Sequence, residues 1–131
     1  MAATADDLRA LRAPLLALHK EVLATERRTL EGVHGPLSGA QFLQIVSDPL
    51  RYGWLRPFSE LILALEDTID AGDDDEIEIA TPAELLQRAR ALLLPPDATT
   101  PFGRRYLSLM QREPALVLAH SAVTKLLRSH E

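Results

Sequence analysis

Leu8, Leu11, Leu15, Leu18 and Val22 recur at alternating spacings of four and three residues, and Leu16, Leu23 and Leu30 widen the same stripe. That period is the mark of a helix with one face in a core, and it predicts a first helix from about Asp6 to Glu31. Thr4 stands at the capping position, and Asp6 and Asp7 complement the positive end of the helix dipole. Pro14 falls inside the pattern, where it removes one intrahelical bond at a cost of about 3 kcal/mol, so a kink or a later start is expected there. Gly32 and the pair Gly35-Pro36 are the expected stop.

The next elements are announced by their starts. In LSGAQF, Ser38 is an N-cap, Gln41 completes a capping box, and Leu37 with Phe42 form a hydrophobic staple, predicting a short helix from Gly39 to about Ser47. Asp48-Pro49 is a second start, with proline at the first helical position. From there Leu50, Trp54, Phe58, Leu61 and Leu65 share a face, with Ile62 and Ile69 beside it, as far as about Asp70. Pro57 interrupts this run, which one kinked helix or two helices would satisfy equally. Thr81-Pro82-Ala83-Glu84 opens a helix carrying Leu85, Leu86, Ala89, Leu92 and Leu93, closed by Pro95-Pro96. Thr100-Pro101 opens another with Phe102, Tyr106, Leu109 and Met110 inward, ending near Arg112 ahead of Pro114. The last runs from Pro114 to about Arg128, with an inner face of Leu116, Ala119, His120, Val123 and Leu127.

Ile77-Glu78-Ile79 alternates like a strand but is too short to build a sheet. The pattern therefore predicts an all-α protein, one helical domain over residues 1–131. Its six or seven helices, joined by short proline-rich turns, form a compact bundle-like or orthogonal array. At 131 residues one core buries most of the apolar surface without staples.

Composition narrows the setting. The absence of cysteine excludes disulfides and thiolate zinc sites and fits a reducing compartment, so a cytoplasmic location is expected. Asp6 and Asp7 stand where a secretory signal carries positive charge, and no apolar run approaches the roughly 20 residues that span a bilayer. The net charge of −5 is uneven: eight acidic residues fall between Glu66 and Glu78, a run that leads into an acidic loop over 71–80, and the remaining 11 face 14 Lys and Arg. So mild a basic excess is no footprint for nucleic acid. No register of DAGDDDEIEI supplies the ligand positions and glycine of an EF-hand, which leaves a solvated acidic loop.

Motifs for chemistry are few. The six glycines are scattered, without a phosphate-binding loop, and the four histidines include no metal-binding pair at i,i+3 or i,i+4. No cofactor, metal or catalytic residue is assigned. His120 lies on an apolar face and is expected as a neutral imidazole bonded to a carbonyl or hydroxyl, with a ligand role as the alternative. His19 shares a side with Arg12 and Glu26 and reads as solvated. Arg104 and Arg105 sit near a helix start, against the dipole, and need an anionic partner, either the acidic loop or an anionic ligand. The remaining constellation is SDPLRYGWLRPFSEL, where Arg56 can reach Glu60 at i,i+4 and Tyr52 lies close by, joined by Arg28 from the first helix.

HGPLSGAQFLQIVSDPLRYGWLRPFSELI and FGRRYLSLMQREPALVLAHSAVTKLL resemble a small family of uncharacterised bacterial proteins, almost over the whole chain. The resemblance implies a self-contained helical domain and brings no activity with it. Two functional readings follow. The first is a non-enzymatic soluble module that binds a protein partner, or a second copy as a homodimer, through a leucine- and alanine-rich helix face. The composition, 47% hydrophobic and only 5% aromatic, motivates it. The second is a protein that binds or transforms a small anionic ligand near the Pro57 kink, using Arg28, Tyr52, Trp54, Arg56, Glu60 and His120.

Overall fold

The computed structural model describes residues 3–71 and 80–129. Helix α1 runs from Ala5 to His34, continuous across Pro14 and past Gly32. The later start expected at Pro14 is not found, because Leu8 and Leu11 upstream of it are already buried in the core and hold those turns helical. Each such burial is worth about 1.5–3 kcal/mol, enough to offset the bond that proline removes. The backbone N–H of Thr4 donates to the Asp7 carboxylate at 2.8 Å, tying down the start of the helix. Gly35 ends it at φ +82°, the left-handed region that favours glycine, and donates its N–H to the Glu31 carbonyl.

Helix α2 spans Gly39–Val46, and its capping box forms as its sequence predicts: Gln41 N–H donates to Ser38 Oγ at 3.1 Å, and Ser38 N–H to Gln41 Oε1 at 2.9 Å. Helix α3, Pro49–Tyr52, leads into a 3₁₀ turn over Gly53–Leu55, and α4 follows from Arg56 to Ala71. The interrupted pattern is thus two helices. Pro57 has no N–H to give the Gly53 carbonyl and its ring would crowd it, so Arg56 N–H takes that carbonyl in a tighter turn. The turn also resets the helical phase. Leu50, expected on the inner face, is exposed, and Tyr52 is buried in its place.

Helix α5, Pro82–Leu93, opens on the Thr81 and Glu84 box. Helix α6, Pro101–Arg112, starts where Gly103 N–H donates to Thr100 Oγ1 at 3.0 Å. Helix α7 occupies Pro114–Ser129. No strand occurs among the described residues. Most of the acidic loop, with Ile77-Glu78-Ile79, lies outside them.

α1 packs chiefly on α7 and α4, and α5 bridges those two, so the long helices enclose one core. Leu15, Leu18 and Val22 meet there with Phe58, Leu61, Leu65, Leu85, Leu93, Val123 and Leu127. α6 and the 3₁₀ turn close one end of this core with Phe102 and Tyr106. α2 stands apart, packing mainly on α3 and burying no residue. Among the described residues, no helix is long and apolar enough to cross a membrane.

Candidate functional site

Glu26 sits on the core side of α1, one turn beyond Val22 on the row formed by Leu15, Leu18 and Val22, and is only 3% exposed. A carboxylate there requires charged or hydrogen-bonding partners. Arg105 of α6 supplies them, with Nε 2.8 Å and Nη2 2.7 Å from Glu26 Oε1. The hydroxyl of Tyr52, from α3, donates to Oε2 at 3.4 Å. Burial, and then the negative charge of Glu26, push the Tyr52 phenol above its ordinary range. Three elements thus converge on one buried carboxylate, and among the described residues no buried side-chain nitrogen or oxygen lacks a partner.

Above this network lies a cleft of about 370 Å³. Glu26, Tyr52 and Arg105 form its polar end, while Leu30, Val33 and the indole of Trp54 supply apolar walls. Arg51 and His34 also line it. Arg51 further borders a neighbouring groove of about 380 Å³ against α2, with Leu37, Gln41 and Ile45. On another side Trp54 borders an apolar groove of about 280 Å³ with Pro57, Leu92 and Phe102.

Of the residues singled out from sequence, Tyr52 and Trp54 meet in the cleft, their rings 6.3 Å apart. The others lie elsewhere. Arg28 pairs with Glu113 at 3.2 Å and Glu21 at 3.5 Å, linking α1 to the residue that precedes α7. Arg56 and Glu60 form an exposed i,i+4 pair at 2.8 Å. Glu60 borders a separate groove with Pro57 and Arg88. His120 bonds through Nδ1 to the Tyr106 hydroxyl at 2.7 Å, the hydroxyl partner expected of it. Burial, and then the nearby Arg128 charge, lower its pKa, and burial raises that of Tyr106, shifts that favour the neutral form of each. Rings connect this pair to the cleft: Tyr106 stacks on Phe102 at 5.1 Å, and Phe102 lies 6.3 Å from Trp54.

Two readings of α1 need correction. His19 is half-buried rather than solvated, its Nε2 3.1 Å from Ser59 Oγ and its ring edge-on to Phe58, because α4 lies against that side of α1. Burial lowers its pKa. Glu26, grouped with the solvated residues, belongs to the core side. Its place on the row through Leu15, Leu18 and Val22 was the available signal. Arg105 has an anionic partner, but it is neither of the two expected: Glu26 of α1 supplies it, and a role for the acidic loop falls on residues outside those described.

Comparison with family models, with curated proteins and with solved structures finds no match.

Proposed function

We propose that this chain is a non-enzymatic helical interaction module that pairs with a second copy of itself through α2 and the neighbouring ends of α1 and α3. The observation that carries this is α2 itself: Phe42, Leu43, Ile45 and Val46 make up half of an eight-residue helix, and the chain covers Phe42, Ile45 and Val46 only in part and leaves Leu43 exposed. Nearby in sequence, Val33 is 76%, Leu43 65% and Leu50 97% exposed. Apolar surface left in water forgoes about 25 cal/mol per Å², and a partner that covers it recovers that free energy.

Charge favours a like partner. In a two-fold interface a side chain near the axis meets its own copy, so a charge there meets its like. GAQFLQIV contains none, and Asp48 and Arg51, which border it, are of opposite sign. The helix is also held in place for docking: the Arg27 guanidinium lies 5.6 Å from the Phe42 ring centre, Arg27 Nη2 donates to the Leu37 carbonyl at 2.6 Å, and Leu37 N–H donates to Glu31 Oε2 at 2.8 Å. These contacts fasten the segment to α1 by its polar groups and leave Leu43 outward.

Sedimentation velocity from micromolar to millimolar concentration tests the reading. The expected result is a species of twice the 14.5 kDa chain mass. Leu43→Lys, which sets like charges across the two-fold, returns it to monomer with helical content unchanged. A strict monomer at the highest concentration overturns the proposal.

A further inference from the structure

We infer that the cleft beside Trp54 is a binding site for a small aromatic acid, the carboxylate or phosphate facing Arg51 and Arg105 and the ring facing Trp54. The argument starts from the balance of charge. Glu26 is turned inward and fully engaged, Oε1 by Arg105 and Oε2 by Tyr52. Its charge is matched by Arg105, whose side chain nonetheless remains 35% exposed to the cleft. The bonds to Glu26 use Nε and Nη2, which leaves the Nη1 edge of that guanidinium for another acceptor. Arg51 is exposed, lines the same cleft, and pairs with no carboxylate among the described residues. Among the residues that line this cleft, one carboxylate thus faces two guanidinium groups; Asp48 borders the neighbouring groove beside Arg51 and does not line this one.

Arg105 is also prepared for a ligand. Its fork is held by Glu26, so little rotamer freedom remains to be lost when an anion arrives. The apolar part of the cleft fits a flat group, with the half-exposed indole of Trp54 on one side and Leu30 and Val33 on another. Its volume, about 370 Å³, lies in the range that holds small molecules. A purely structural role for the Glu26–Arg105 pair would account for α1 gripping α6. It leaves unexplained why an unpaired Arg51 and a half-exposed tryptophan border the same cavity. The cleft borders the face proposed for self-association, sharing Val33 and the end of α3 with it, but it uses no residue of α2, and the Trp54 response is read separately from the subunit count.

Trp54 is the only tryptophan, so its fluorescence and its indole N–H resonance report occupancy of the cleft. The probes are benzoate and phenyl phosphate, with benzamide as the uncharged counterpart. A saturable change with at least one acid is expected, weaker for benzamide by about tenfold or more, as for loss of a charge-assisted bond. Arg51→Gln, an exposed change that leaves the core intact, weakens the acids by a similar factor with the circular dichroism spectrum and Tm unchanged. Three results would each overturn the site: no saturable response to either acid, an equal response to benzamide, or acid binding that survives Arg51→Gln. The last would place the probe in the apolar groove by Pro57, Leu92 and Phe102.

Discussion

Arg105 reaches Glu26 across 79 residues of sequence, with Nε and Nη2 both on one carboxylate oxygen. The pair fastens the first half of α6 to the C-terminal third of α1 and offsets the unfavourable position of a cation near a helix N-terminus. Because Glu26 is buried and Arg105 is not, the two halves are unequal: losing the arginine strands a charge, while losing the carboxylate releases a side chain that can turn to water.

Arg105→Ala should therefore lower stability by about 1–3 kcal/mol, less than for a fully enclosed pair because Arg105 is partly exposed and Glu26 borders the cleft. Adding Glu26→Gln to that variant should restore part of the loss, since the stranded charge is gone. Urea denaturation of the two single variants and the double measures the coupling. Strict additivity would mean the contact contributes nothing.

Acidification should destabilise the protein through its half-buried imidazoles. Burial lowers His19 and His120 below the ordinary 6.5, so the unfolded chain binds these protons more readily than the folded one. Their contribution is complete above 6.5 and is lost as pH falls from there through the folded-state values. The drop in Tm between neutral and mildly acidic pH should be smaller in a His19→Gln/His120→Gln variant than in the parent. An equal drop would assign the effect to other groups.

Two glycines should respond in opposite directions. A Cβ on Gly103 would collide with the backbone carbonyl of Asp97, so Gly103→Ala should cost about 2–3 kcal/mol. Gly32 sits inside α1, exposed, with open space where a Cβ would stand, and Gly32→Ala should stabilise by up to about 1 kcal/mol. Thermal unfolding of both variants checks this, and a stable Gly103→Ala protein would show that the approach of Asp97 is not rigid.

Arg56→Ala should shift stability by no more than about 0.5 kcal/mol, since its pair with Glu60 is exposed and screened. It should also leave the Trp54 response to benzoate as it was. A loss of that response in Arg56→Ala would move the site toward the Pro57 side.

Most of the fold was legible because its punctuation is local. Ser38 with Gln41, Thr81 with Glu84, Asp48 before Pro49 and Thr100 before Pro101 act within three residues, so their spacing alone predicts where helices begin. The all-α class and the buried leucine stripe of α1 follow from the same short-range periodicity. What lies against each face was not legible, since periodicity identifies a face and not its neighbour. Only the packed structure decided that Leu8 and Leu11 carry α1 through Pro14, and that a 3₁₀ turn rephases the chain so that Leu50 faces water and Tyr52 the core. It also decided that Arg105 meets Glu26, because that bond depends on how α1 and α6 dock, and nothing within a helix turn of either residue encodes it.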